Sequence, residues 1–311
     1  MTIQDMRDDL RSITRAYLKT STLPLFERAR TIRDEAVELL RDRQTPQTSR
    51  ELYGIAGWAL TILGWMSVDL GKPDPADKHL RTAWAFAENA DDDDLRAWVR
   101  ASQHTAAFWR DDFLAAAELA RDGLRYARSG SAALFLSSAY ALDLARAEQR
   151  TAATSALDFA VDVGDRLREL PQQDTFSGPF SCSVERATGM WADTCLVAQD
   201  AQRSLDYATT AVDGYDNTPA ARRNLGSERM VRCQQVKAFL SLGYLDVATA
   251  QLSVVAETPA EHRVGPLVQR VNEIAWMAGK KSSAAGVGEI RDTATEFGRG
   301  RSLPALTSAE D

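Results

Sequence analysis

The chain has 311 residues, 44% of them hydrophobic and 26% charged, a balance typical of a folded, water-soluble protein. Its net charge of −7, from 37 basic and 44 acidic side chains, has the wrong sign for a protein that binds the nucleic-acid backbone. No apolar stretch is long enough to span a membrane, and the N-terminus has the pattern of a charged amphipathic helix, so we predict a cytoplasmic protein without a signal peptide.

Residues 1–50 are predicted to form an N-terminal cap or linker of two helices. The first spans about 3–20, and the second runs from Pro24 to about Arg43, where a polar QTPQTS segment follows. The first helix either caps the following repeats or pairs with a second copy to form a homodimer. Its apolar series consists of Ile3, Met6, Leu10, Ile13 and Tyr17.

Five helical hairpins are predicted in residues 51–260, because one pattern recurs there. In each copy an apolar-periodic helix runs into a short turn, and the second helix carries small residues where two helices approach closely. The turns repeat at intervals of 40, 37, 51 and 44 residues, longer than the period of about 34 in a strict tetratricopeptide array. The turn residues are Gly71, Asp111, Glu148, Gln199 and Gly243.

These repeats predict an all-α fold, a right-handed superhelix of about five degenerate tetratricopeptide-like helical hairpins with helical caps. The alternative is an irregular bundle whose helices share only general amphipathicity. C-terminal capping helices are predicted in 261–297, weakened by three glycines, and a flexible tail in 298–311.

Two segments between helices allow both a structural and a functional interpretation. The run Asp91–Asp94 places negative charge at a helix N-terminus, where free amides favour it, and it lacks the spacing of a calcium loop. Residues 171–183 contain Phe176 and Phe180, and loops that interrupt a repeat array often belong to the binding surface. The alternative is that both rings pack into the core.

Residues 180–212 and 234–279 carry a more specific pattern, with Arg263 and Arg270 seven residues apart after the last repeat. The pattern resembles the C-terminal tetratricopeptide-like sensor region of actinobacterial Cro/repressor-type (XRE-family) helix-turn-helix transcriptional regulators. This resemblance covers about 45–297 and implies a protein that senses a signal and modulates transcription. No helix-turn-helix sequence precedes the repeats, so we expect either a stand-alone sensor or adaptor or a DNA-binding half on another chain, and we predict no direct nucleic-acid contact.

A ligand is predicted to bind in the concave groove, which the first helix of each hairpin lines in this architecture. Aromatic side chains at its N-terminal end offer contact area, and Arg and Lys toward its C-terminal end can fix a carboxylate or phosphate. A peptide, a small-molecule signal with an acidic group, or a protein partner would suit this surface. The alternative is that each tryptophan packs against a neighbouring helix. The predicted groove residues are Trp58, Trp65, Trp98, Phe108, Trp109, Phe135, Arg146, Arg186, Asp193 and Lys237.

Catalysis is not predicted. The histidines, His79, His104 and His262, have no partner at metal-ligand spacing, and the sequence lacks nucleophile-elbow, Walker and dinucleotide-binding motifs. Neither a cofactor nor a metal is expected, and Cys182, Cys195 and Cys233 are interpreted as small buried residues. The predicted function is a non-catalytic regulatory binding module. The alternatives are a protein-interaction scaffold without a small ligand and, third, an enzyme of unfamiliar type.

Overall fold

The computed structural model describes residues 2–127, 129–169, 174–219, 222–280 and 286–299. Within these ranges the chain forms fourteen α-helices and no strand, which confirms the all-α prediction. The helices are α1 (Ile3–Ala16), α2 (Thr22–Arg41), α3 (Pro46–Asp69), α4 (Pro73–Ala90), α5 (Asp93–Phe108), α6 (Phe113–Gly123), α7 (Gly130–Arg146), α8 (Arg150–Arg168), α9 (Val184–Val197), α10 (Ala201–Asp216), α11 (Leu225–Leu242), α12 (Leu245–Ala256), α13 (Gly265–Gly279) and α14 (Val287–Arg299).

The five turn residues predicted from the sequence all adopt left-handed backbone conformations. Two backbone hydrogen bonds close the first turn: the N–H of Gly71 donates to the Val68 carbonyl at 2.9 Å, and the N–H of Lys72 to the Ser67 carbonyl at 2.8 Å. The same pair of bonds closes the other four turns and satisfies carbonyls left free at the helix ends. The φ angles are 69° at Gly71, 61° at Asp111, 61° at Glu148, 69° at Gln199 and 88° at Gly243.

Small residues bring the two helices of each hairpin close together. A Cβ atom added at Gly64 on α3 would lie only 2.5 Å from Leu80 on α4. The residue five positions after each turn residue is small and at most 4% exposed. The second helix of each hairpin therefore packs against its neighbours at the same position of the repeat. These residues are Ala76, Ala116, Ala153, Ser204 and Ala248.

Two helix boundaries differ from the predicted ones for local reasons. Helix α1 ends at Ala16 rather than near residue 20, because Leu18 has a φ of 58°, which no α-helix accommodates. Helix α3 begins at Pro46, inside the segment predicted to be a loop. Its N-cap is Thr45, whose hydroxyl accepts a hydrogen bond from the N–H of Thr48, and proline suits the first turn of a helix.

Helix α1 packs inside the chain. Its residues Met6, Leu10 and Ile13 are fully buried, and the helix contacts α2, α3 and the turn Gly178–Phe180. That turn approaches so closely that a Cβ at Gly178 would lie 2.4 Å from the Thr14 carbonyl oxygen. The apolar series of α1 is therefore mostly buried within the chain, as the capping alternative predicts, and the homodimer stays a prediction.

The C-terminal helices add a sixth hairpin. Helices α13 and α14 pack on each other and on α11 and α12, and α13 also contacts α3. The array thus curves until its last hairpin reaches its first. Helix α14 continues to Arg299, whereas the rest of the predicted tail, 300–311, lies outside the described residues. No helix in the described part of the chain has the length and apolarity needed to cross a membrane.

Enlarging a small residue at a helix crossing should destabilise the fold. We expect Ala76→Leu and Ala116→Leu each to lower the free energy of unfolding by about 1–3 kcal/mol, because both side chains are fully buried where two helices meet. Thermal and urea unfolding measure this change. Ala85→Leu, at an exposed position of α4, is the matched control and should leave the melting temperature unchanged. Unaltered melting in both buried variants would show that the repeat register is wrong.

Candidate functional site

A cavity opens on the inner side of the curved array. It is lined by the first helix of every hairpin, α3, α5, α7, α9, α11 and α13, and by residues that follow α1. Its empty volume is about 1160 Å³, counting the part that is open to solvent. Most of its accessible lining is apolar. Small-molecule sites are typically concave and mostly apolar, as this cavity is.

One wall of the cavity is aromatic. The ring of His104 lies 5.9 Å from that of Phe135 and 6.0 Å from that of Phe108. Phe108 in turn contacts Trp109 at 5.1 Å, and Phe135 contacts Trp65 at 6.3 Å. Residues from three successive hairpins therefore form a continuous strip of rings along the cavity. Four predicted groove residues lie in this wall: Trp65, Phe108, Trp109 and Phe135.

Trp58 and Trp98 were predicted in the groove but do not line the cavity. They are 5% and 2% exposed, because the segment 174–183 covers them. Phe176 packs 4.4 Å from Trp58, and Phe180 lies 5.8 Å from Trp58 and 5.9 Å from Trp98, measured between ring centroids. Phe176 and Phe180 are thus core residues, as the structural interpretation held, and they separate these two tryptophans from the cavity.

A buried carboxylate, Asp193 on α9, organises the charged end of the cavity. It is 1% exposed and lies 3.1 Å from Arg146 on α7, 3.2 Å from Lys237 on α11 and 2.7 Å from Arg270 on α13. Glu273 joins the same cations, at 2.8 Å from both Lys237 and Arg270. Burial alone would raise the pKa of Asp193, but the three cations outweigh it and hold the pKa well below its usual range.

This network changes the roles predicted for its members. Arg146 and Lys237 point their charges at Asp193 and do not line the cavity, so here they take part in a structural network. Asp193 lines the cavity but is already paired. Arg270 also lines it, with its guanidinium 5.4 Å from the Phe108 ring and 5.0 Å from the Trp109 ring.

Arg186 lines the cavity and supports the aromatic wall. Its Nη1 donates hydrogen bonds to the carbonyls of Pro179 at 2.8 Å and Ser181 at 2.7 Å. Its guanidinium lies 4.6 Å from the Phe135 ring and 5.7 Å from the Trp65 ring, and burial lowers its pKa. It therefore holds segment 174–183 against the rings, and the charge of Asp69 favours its charged form.

The sequence analysis missed the contribution of α11 to the cavity. Met230 and Gln234 lie seven and three residues before Lys237, on the stripe that was already predicted to face inward. Arg229, also on α11, and Leu267, on the neighbouring helix α13, complete this wall. Extending the helical spacing backward from Lys237 would have identified Met230 and Gln234.

The three histidines lie in separate environments. Burial and the charge of Arg33 lower the pKa of His79 to about 4. His104 places its Nε2 3.0 Å from an oxygen of the fully buried Asp143, and His262 lines the cavity. Across the described residues, no group of three or more His, Cys, Asp and Glu side chains is placed to bind a metal ion.

No protein-family model and no curated protein matches this chain. Solved structures that share its fold include two of Rap proteins. A Rap protein complexed with Competence and Sporulation Factor is 13% identical, with a TM-score of 0.59 over 96% of this chain and 77% of that chain. The apo form of RapI is 10% identical, with a TM-score of 0.51 over 96% and 75%. At this identity the similarity establishes the fold, an array of tetratricopeptide-like helical hairpins.

Proposed function

We propose that this protein is a non-catalytic regulatory module that binds a short peptide in its interior cavity. The observation that carries the proposal is the cavity itself, which collects residues from the first helix of all six hairpins and has an aromatic strip that three of them build. A lining drawn from successive hairpins offers contacts along the length of an extended chain. Aromatic side chains supply contact area at a small entropic cost.

Unpaired polar atoms in the wall also favour a peptide. Gln234 is 4% exposed, and its Oε1 is buried without a hydrogen-bond partner. On the same helix, Nη1 of Arg229 is buried and equally without a partner. A peptide backbone supplies both an N–H donor and a carbonyl acceptor, so it can satisfy both kinds of atom, whereas leaving them unpaired is costly.

Charge favours an acidic ligand. The chain carries a net charge of −7, yet the cavity wall presents Arg186, Arg229 and Arg270 against Asp69 and Asp193. A local positive potential inside a low-dielectric cavity attracts anions and strengthens each interaction with them. The proposed ligand is therefore a peptide with at least one carboxylate.

The similarity in fold to a Rap protein complexed with Competence and Sporulation Factor supports a regulatory role in which a bound factor changes what the array contacts. Following the resemblance to transcriptional regulators, we propose that ligand occupancy modulates transcription through a separate DNA-binding protein. The helical array provides the contact surface for that partner.

Two tryptophans should separate binding from folding. Trp109 is partly exposed in the cavity wall, so Trp109→Ala should weaken the binding of a pentapeptide pool by more than about 1 kcal/mol, or about fivefold, while the protein still folds. Trp98 is 2% exposed in the core, so Trp98→Ala should lower unfolding free energy by about 3–5 kcal/mol. Trp276→Ala, at an exposed indole on α13, is the control and should change neither. Unfolding of the Trp109 variant would place this ring in the core instead.

Native mass spectrometry of protein isolated from its producing cell tests the ligand class directly. We expect a bound species with a peptide mass, released on denaturation and sequenced by fragmentation, because a ligand that binds the folded state stays with it. A bound metabolite would contradict the peptide and favour a small-molecule sensor. A protein partner with an empty cavity would contradict both and favour the scaffold.

A further inference from the structure

The arginines in the cavity wall differ in what they already bind. Arg270 is satisfied by Asp193 and Glu273, at 2.7 Å and 2.8 Å. Arg186 donates to two backbone carbonyls and stacks on the aromatic wall. Arg229 forms no ion pair with any described residue, and its Nη1 is buried without a hydrogen bond. Arg229 is thus the cation in this wall whose charge has no assigned partner.

The neighbouring carboxylate compensates Arg229 only in part: its charge favours the charged guanidinium, but burial outweighs it. Glu228 lies beside it in sequence but is engaged by Arg232 at 3.1 Å and by Arg223 at 3.6 Å. Burial lowers the pKa of Arg229, which shows that its charged form is held in an unfavourable environment. A partly buried guanidinium without an ion-pair partner costs folding free energy, and such a cost persists where a ligand supplies the missing anion.

The end of the cavity at Arg229 is closely packed. One turn before it on α11, Gly226 lies so near the residues after α1 that a Cβ there would be 2.6 Å from a methyl carbon of Leu18. Asn224 donates from Nδ2 to the Gly178 carbonyl at 2.8 Å, which ties the start of α11 to the 178–180 turn. Three segments therefore converge at this end, which suits a peptide that terminates there.

The spacing to the next unpaired group fits two residues of extended chain. Gln234 follows Arg229 by five residues, or about 7.5 Å along the helix axis at 1.5 Å per residue. An extended peptide advances about 3.3 Å per residue, so two residues span nearly the same distance. Between the two groups, Met230 and Val231 line the cavity with apolar surface.

We propose that Arg229 and Gln234 form the subsite for the carboxyl end of the bound peptide. Resting on the proposed function, this inference adds the ligand's orientation and terminal chemistry. Arg229 donates to the free C-terminal carboxylate, and Gln234 Oε1 accepts a hydrogen bond from a backbone N–H about two residues upstream. An apolar side chain near the C-terminus contacts Met230 and Val231, where methionine adapts to varied shapes.

The test compares three random pentapeptide pools against the full chain by competitive native mass spectrometry: free acids, C-terminal amides, and N-acetylated free acids. Wild-type protein should retain free acids about tenfold or more over amides, because a charge-assisted hydrogen bond is lost on amidation. N-acetylation should have little effect. Retained peptides should be enriched in apolar residues near the C-terminus.

Arg229→Gln should bring the acid-to-amide ratio close to one while amide binding stays unchanged. Arg121→Gln, at an exposed position on α6, is the matched control and should keep the wild-type ratio. Without any ligand, Arg229→Gln should raise the melting temperature by about 2 °C or more, because it removes an unpaired buried charge. A merely structural arginine would lower it.

Several results would overturn the inference. Equal retention of acids and amides by the wild type would do so, as would an acid preference that survives Arg229→Gln or a lower melting temperature in that variant. Selection of internal Asp or Glu with no C-terminal preference would place a side-chain carboxylate at Arg229 and also contradict it. Wild-type protein that retains none of the three pools would instead contradict the proposed peptide-binding function.

Discussion

The charge of Asp193 holds together parts of the array that a simple solenoid would leave independent. Hairpins in a solenoid normally contact only their neighbours, so stability is a sum of local terms. Here one carboxylate on α9 binds Arg146 from α7, Lys237 from α11 and Arg270 from α13. Removing one member of such a buried network typically costs about 3–5 kcal/mol, because the remaining charges lose their partner.

The same network shapes the cavity. Arg270 is fixed on one side by Asp193 and Glu273, and on the other it faces Phe108 and Trp109. The position of the aromatic wall therefore depends on a salt bridge to the last hairpin. Cations with partners hold the wall in place, whereas Nη1 of Arg229 has no hydrogen-bond partner, and Arg229 is the cation we propose for the ligand. The paired Arg270 thus supports the cavity wall, and the proposed ligand contact falls to Arg229.

The sequence predicted the hairpin turns well because their signal is local. A turn that needs a left-handed residue favours glycine or a polar residue, and the five markers were recognisable without knowledge of distant contacts. Helix N-termini were harder, since the start of α3 depended on recognising Thr45 and Pro46 as a cap within an apparent loop. Such a cap is hard to recognise because the polar residues around it are also typical of a loop.

The site was only partly predictable because helical spacing identifies a face but not what covers it. Trp65 and Trp98 lie on equivalent stripes, yet Phe180 packs over both and only Trp65 also reaches the cavity. Likewise, Arg146 faces inward as predicted, but its partner Asp193 is 47 residues away. Pairing across that distance is fixed by the curvature of the array, which no local pattern encodes.

Hydrogen exchange of the Asp193→Asn variant tests the central claim most directly. The substitution keeps the size of the side chain and removes its charge, so Arg146, Lys237 and Arg270 retain only Glu273. We predict that backbone amides of α13 lose protection by about tenfold or more, while those of α3 and α4 stay protected, because the network attaches the last hairpin to the array. Asp213→Asn, at an exposed position on α10, should leave α13 unchanged. Unaltered protection of α13 in the Asp193 variant would contradict the claim that this carboxylate holds the array and its cavity together.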